Sequence, residues 1–215
     1  MIALVKRRAI MLYQKEHLEE IRENAEHNPS YYERAISKFS DYEQSTLWLC
    51  FNDKADPKLH LDLDPIVRRN ITSDVPVELY RGVSKKTAAW LEHMEVGRII
   101  ADNRVTSFSS DFATARQFAG AYCYNTKVIL SLRNCPFAFN FQEHAMNLVL
   151  AAPDSEFRCN FIDGDERMEK LEMINAEDEW MFPIGTQFEI VSIEDYQLDP
   201  LSPVYKIYHL NFYSF

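Results

Sequence analysis

The sequence predicts an α+β chain, with an N-terminal helical lobe over residues 1–75 followed by a sheet-rich core over residues 76–215. Three observations predict it. Leu4, Met11, Leu18 and Ile21 recur at roughly helical spacing with charges between them. From Val77 onward, short β-branched and aromatic runs alternate with turn residues. Helical stretches separate the early runs but few separate the later ones, which predicts a mixed or antiparallel sheet rather than a doubly wound one.

In the lobe, Ser30 is followed by Glu33 and Ser40 by Glu43, each a capping-box pattern that opens a helix. Phe39, Tyr42, Leu47, Leu49 and Phe51 then supply an apolar face, and Pro57 and Pro65 break the stretch beyond Phe51. The lobe carries no obvious chemistry and reads as a packing or recognition element. In the core, Val77–Tyr80 predicts a strand, Ser84–Glu95 a helix ended by Gly97, and Arg104–Phe108 a second strand. Asp111–Ala119 predicts a helix with Gly120 as its C-terminal cap. Further strands are expected at Lys127–Leu132, Pro136–Phe141, Trp180–Phe182, Phe188–Ile193 and Val204–Phe212. The charged stretch Asn160–Leu171, with Asp163-Gly164-Asp165, reads as a loop.

A hydrophobic fraction of 47% is ample for a buried core. The formal net charge of -10 argues against general nucleic-acid binding, which uses a basic surface, though Lys6-Arg7-Arg8 and Arg68-Arg69 offer local basic patches. Cys50, Cys123, Cys135 and Cys159 show no Cys-x-x-Cys spacing, and no His pair has metal-ligand spacing. They read as free thiols in a reducing compartment, and no metal is expected. Met1–Arg8 places basic residues after a very short apolar run, the wrong order for a secretory signal. No stretch approaches the ~20 apolar residues of a membrane span. The chain is therefore expected in the cytosol, away from membranes. The glycines, Gly82, Gly97, Gly120, Gly164 and Gly185, are too far apart for a Gly-x-Gly-x-x-Gly turn or a phosphate loop. Any NAD site must be of another kind than the Rossmann fingerprint.

Three short pieces carry chemistry. In Leu79-Tyr80-Arg81-Gly82, the Arg81 guanidinium can grip phosphate oxygens bidentately and Gly82 lets a ligand approach the backbone. The plain alternative is an arginine paired to a nearby carboxylate. In Ser107-Phe108-Ser109-Ser110, Ser107 and Ser109 point to one face of a strand, where one can hold a carboxylate and the other can meet a ribose. Helix capping by Ser110 or Asp111 is compatible with that. In Glu177-Asp178-Glu179-Trp180, strand geometry would set Glu177 and Glu179 on one side, beside the apolar run Trp180-Met181-Phe182. Like charges beside apolar surface suit a catalytic pair better than a structural role, although a solvated acidic strand end is the alternative.

Taken in this order, the pieces resemble the Arg-Ser-Glu class of ADP-ribosyltransferases, and within it the ModA/ModB mono-ADP-ribosyltransferases of T-even bacteriophages, the ModB type above all. The matching text includes Lys38-Phe39, Asp41-Tyr42-Glu43-Gln44-Ser45, Leu47-Trp48, Leu79 to Gly82 with Ser84-Lys85, Asn103-Arg104-Val105, Ser107-Phe108, Pro153 to Phe157, Glu177 to Met181 and Pro183-Ile184-Gly185. It covers about residues 38 to 212. The resemblance implies a mixed or antiparallel two-sheet NAD-binding core with NAD as a substrate. It implies that Arg81 holds the NAD phosphates, with Gly82 near the nicotinamide amide. It makes Ser107 the first serine of the family's Ser-Thr-Ser strand, Glu179 the catalytic glutamate, and Glu177 the glutamate typical of arginine-modifying members. Phe108 stands where that motif has threonine, and the last serine is Ser109 or Ser110. Ser109 is a further candidate for contact with NAD.

The implied activity is transfer of ADP-ribose from NAD to arginines of host proteins of transcription or translation, associated with RNA polymerase or the ribosome, in the cytoplasm of an infected bacterium. An NAD glycohydrolase and a catalytically inactive host-protein-binding module are the alternatives. NAD-capped RNA is a chemically allowed donor, since the adenosine end of NAD takes no part in the chemistry, but the net charge gives RNA no general attraction.

Overall fold

The computed structural model describes residues 16–51, 56–120, 125–157, 159–160 and 164–215. Leu4 and Met11 of the helical pattern, the Met1–Arg8 segment with its basic patch, Cys123 and Asp163 lie outside the described residues. The chain forms two compact units. The first is Met1–Asn52 with Gln142–Ala176; the second is Asp53–Phe141 with Glu177–Phe215.

In the first unit residues 16–27 are helical (α1). Helix α2, Pro29–Ile36, comes directly after. Its N-cap is Asn28 without a side-chain cap bond, so the capping box expected at Ser30 does not form. Pro29 is pre-set for the first helical turn and starts the helix earlier. Helix α3, Asp41–Leu49, does begin with the capping box expected at Ser40: the Glu43 N–H donates to Ser40 Oγ and the Ser40 N–H to Glu43 Oε2, at 2.8 Å for the latter. Later in the chain come α7, Phe141–Ala151, a 3-10 turn at Asp154–Glu156, a two-stranded ribbon of β6 (Cys159–Asn160) and β7 (Gly164–Asp165), and α8, Glu166–Glu177. The loop expected over Asn160–Leu171 is therefore mostly ribbon and helix. Its charges conceal the buried series Met168, Leu171 and Ile174, which has helical spacing. Asp165 opens α8 by accepting from the backbone N–H groups of Arg167 and Met168.

Arg167, a buried charge of this unit, is locally paired. Arg167 donates to the Ala152 carbonyl at 2.5 Å, meets Asp154 at 3.0 Å and lies 4.5 Å from the centre of the Phe157 ring. Lys38 Nζ donates to His144 Nε2 at 3.3 Å, and the His144 ring packs edge-on to Phe39. Burial, then the neighbouring Lys38 cation, pushes the His144 pKa down to about 4.

The second unit begins with α4, Pro57–Arg69. Pro57 takes the first helical position behind the Asp56 cap, and Pro65 sits inside the helix, so neither breaks it. A proline inside a helix costs about 3 kcal/mol, offset here by burial of Leu59, Leu63, Ile66 and Val67. Then come β1 (Glu78–Gly82), α5 (Lys85–Leu91) capped by Ser84, β2 (Ile99–Ala101), β3 (Thr106–Ser109), α6 (Phe112–Gly120), β4 (Val128–Arg133), β5 (Phe139–Asn140), β8 (Glu179–Phe182), β9 (Gln187–Tyr196) and β10 (Tyr205–Ser214). The strand expected over Pro136–Phe141 shortens to β5 because Phe141 already begins α7.

These strands hydrogen-bond in the order β2-β9-β10-β4-β1-β3-β8-β5. Every pairing is antiparallel except β4 with β10, so the sheet is mixed, as expected. One core gathers Leu79, Leu91, Phe108, Leu132, Phe182 and Ile190. Another gathers Ala115 and Ala119 of α6 with Ile129 and Ile207. Gly82 explains how close α6 comes: a Cβ there would lie 2.4 Å from the Ala115 carbonyl oxygen and 2.6 Å from the Ala119 nitrogen.

Cys50 and Cys135 are both buried, as expected. Burial pushes the Cys135 thiol up to about 11.

Candidate active site

The sequence candidates converge on the neighbouring strands β1, β3 and β8. Register sets Tyr80 opposite Ser109 and Ser109 opposite Glu179, one row across three strands. Alternation along β3 puts Ser107 on the same face as Ser109. Thr106, Phe108, Trp180 and Phe182 occupy the other face, and Phe108 packs edge-on to Phe182 at 5.4 Å. The polar row thus has an apolar backing that fixes the strands. Glu179 is buried, at 6% exposure, as the first residue of β8.

The backbone pairing of β1 with β3 is the single pair Tyr80–Ser109. Beyond it the Arg81 guanidinium reaches across and donates to the Ser107 carbonyl at 2.9 Å. Arg81, half-buried, and Ser107 are therefore in contact through the Ser107 backbone. Gly82 comes next after Arg81, and its missing side chain is used by α6.

Glu177 departs from expectation. It is the last residue of α8, and Asp178 has φ +41, so Glu177 and Glu179 are not successive same-face residues of one strand. The strand reading fails because α8 runs up to Glu177 and the chain turns through a left-handed residue before β8. Asp and Asn tolerate that conformation better than most side chains. Two hydrogen bonds hold the turn: Ser110 N–H donates to the Asp178 carbonyl at 3.2 Å, and Ser110 Oγ–H donates to the Asp178 carboxylate. The Ser109 hydroxyl accepts from Asp111 N–H at 3.0 Å, and the Asp111 carboxylate caps α6 by accepting from the N–H groups of Ala113 and Thr114. Ser109 and Asp111 thus hold the entry to α6, while Ser110 is tied to Asp178.

Residue chemistry missed from the sequence lies beside Arg81. The Glu78 carboxylate accepts from Ser131 Oγ at 2.7 Å and from Arg133 Nε at 2.9 Å. Burial opposes its charge, but these bonds outweigh that and lower its pKa. Burial and then the hydrogen bond to Glu78 push the Tyr80 phenol up to about 12. Period-two alternation of Glu78 with Tyr80 was the available signal. At the far end of β8, Asp64 of α4 accepts from Ile184 N–H at 2.6 Å and Arg68 donates to the Ile184 carbonyl at 2.5 Å. That fixes the Pro183-Ile184-Gly185 turn. Among the described residues, no group of three or more His, Cys, Asp or Glu is placed to hold a metal, and no helix is long and apolar enough to cross a membrane.

The fold resembles those of solved ADP-ribosyltransferases. C3stau2 from S. aureus, solved with NAD, superposes with a TM-score of 0.51 at 12% identity, covering 87% of this chain and 95% of its own. The ADP-ribosyltransferase Vis of Vibrio splendidus superposes with a TM-score of 0.50 at 13% identity, covering 91% and 85%. Residues 15–215 match the Bacteriophage T4 Mod ADP-ribosyltransferase family, and the chain belongs to that family. It is 37% identical over 183 residues to the NAD–protein ADP-ribosyltransferase modB of Enterobacteria phage T4, covering 83% of this chain and 86% of that protein. It is 33% identical over 168 residues to modA of the same phage, covering 77% and 78%. The resemblance read from the sequence is borne out, as is the α+β fold. The chain is a mono-ADP-ribosyltransferase of the Mod type, and NAD is the substrate of such enzymes.

Proposed function

We propose that this enzyme transfers ADP-ribose from NAD to arginine side chains of host proteins of transcription or translation, in the cytoplasm of an infected bacterium. The observation that carries the reading is the buried Glu179 in register with Ser109, beside a β3 strand whose Ser107 carbonyl is gripped by Arg81. A carboxylate held there stabilises the positive charge that develops on the ribose as the bond to nicotinamide breaks. Ser107 holds Glu179 and the ribose in place, Ser109 stands in register with Glu179, and the Arg81 guanidinium receives the pyrophosphate end. Nicotinamide leaves with the electrons of the broken C–N bond, and a guanidine nitrogen of the acceptor forms the new bond to C1′. The guanidinium must lose a proton as it attacks, and Glu177 is the group assigned to orient it and take that proton.

Water as the acceptor gives the second reading, NAD hydrolysis, kept because Glu177 ends a helix and does not share the strand with Glu179. Incubation with labelled NAD and a bacterial lysate tests both. Discrete labelled proteins that disappear with Glu179→Gln and with Glu177→Gln, and whose label resists hydroxylamine far longer than a carboxylate ester does, support transfer to arginine. Nicotinamide release without labelled protein supports hydrolysis. No turnover of NAD sinks the reading.

A further inference from the structure

We infer that Asp178, clamped by Ser110, is a positioning residue that sets Glu177 against Glu179 and so decides how much NAD ends in transfer and how much in hydrolysis. The inference rests on the roles proposed above for those two glutamates. Glu179 is fixed by the ladder of β8 with β3, while Glu177 ends α8. One residue lies between them, so its backbone conformation sets the relation of the two carboxylates. That residue is in the left-handed region, at φ +41, where a side chain with a Cβ is rarely found.

The conformation is held from one place. Ser110 offers both its N–H and its hydroxyl to Asp178, one to the carbonyl and one to the carboxylate. Ser110 also sits between Ser109, which pairs with Glu179 across β3 and β8, and Asp111, which caps α6. The clamp therefore ties the turn to the same short segment that supports Glu179. Here the chain re-enters the second unit, at Glu177. An acceptor guanidinium needs both carboxylates in a fixed relation, whereas cleavage of NAD by water needs only Glu179. Small misplacement of a catalytic group by residues that never touch substrate is enough to cost large factors in rate.

Initial rates of nicotinamide release and of ADP-ribosyl transfer to agmatine, a small guanidine, test this on wild type, Ser110→Ala, Asp178→Ala, Asp178→Asn and the double variant Ser110→Ala/Asp178→Ala. Ser110→Ala and Asp178→Ala should lower the ratio of transfer to hydrolysis by about 10-fold, with the KM for NAD unchanged. Asp178→Asn keeps an acceptor for Ser110 and tolerates positive φ, so it should restore the ratio to within about 3-fold of wild type. The double variant should be no worse than Asp178→Ala, because the two residues act through one contact. A purely structural role would lower both rates together and leave the ratio constant. An unchanged ratio, or an Asp178→Asn variant as impaired as Asp178→Ala, overturns the proposal while wild-type transfer stands. If Asp178→Ala does not fold, Ser110→Ala and Asp178→Asn decide alone. Wild type that transfers nothing to agmatine or to protein overturns the assignment of Glu177 as well, and the proposal falls with it.

Discussion

Arg167 in the helical unit and Glu179 in the sheet unit are almost equally buried, at 7% and 6% exposure, yet their surroundings differ in kind. Arg167 is enclosed by a carbonyl, a carboxylate and an aromatic face, a set that satisfies the charge and nothing more. Glu179 stands at the start of a strand, in a row with a serine and a tyrosine, next to a turn held in a sparsely populated conformation. Burial alone does not mark a functional charge. The neighbouring groups distinguish the two: partners close around Arg167 and stabilise the fold, while Glu179 stands in register with hydroxyl-bearing residues.

The contrast is open to test, starting with its largest expected effect. Glu179→Gln should reduce nicotinamide release by roughly 10²–10⁴ while moving the melting temperature little. A collapse of stability in that variant would place Glu179 with Arg167 instead. The next effect belongs to the helical unit and depends on pH. The folded pKa of His144, about 4, lies below that of the unfolded chain, near 6.5. Its neutral form therefore favours the fold. That contribution is fully present above about pH 6.5 and is lost as pH falls towards 4, on the order of 3 kcal/mol in all. Urea unfolding at pH 7 and pH 4.5 should show the loss in wild type and a smaller one in His144→Gln.

Gly82→Ala sets a methyl group against two backbone atoms of α6 and should destabilise by about 1–3 kcal/mol in denaturant melts. It sharpens the comparison because it lowers activity only as far as it lowers stability, unlike Glu179→Gln. The smallest effect is that of Arg167→Met, about 1–2 kcal/mol, from an unpaired Ala152 carbonyl and a lost contact with Phe157. NAD turnover per folded molecule should stay at the wild-type level, measured by nicotinamide release.

Much of the sheet was legible because its strands announce themselves by alternation and flanking turns; β1, β3, β4, β9 and β10 fall close to their expected places. The capping box at Ser40 was legible for the same local reason, since donors and acceptors three residues apart satisfy each other. Glu177 was misplaced because the helix leading to it is dense in charge, and a left-handed turn at an aspartate leaves no mark on the pattern. Pro65 misled in the other direction: propensity forbids it inside a helix, while buried leucines and isoleucine on α4 outweigh that. Gly82 was read as room for a ligand, and the room is taken by α6, a tertiary contact that no local pattern encodes.

The position of β10 has a consequence for synthesis. This strand, Tyr205–Ser214, lies between β9 and β4 and makes the one parallel pairing of the sheet. Until Tyr205–Ser214 is made, β4 has β1 to pair with on one flank and no strand to take up the backbone groups of its other edge. Such an edge invites pairing with other chains. The β1–β4 half of the sheet therefore waits, open, for a segment made some seventy residues later, and its closure is the slow, long-range event that folding of this kind entails. The nascent enzyme is exposed to chaperones and proteases for that interval, and a ribosome stalled before residue 205 presents it at its most vulnerable.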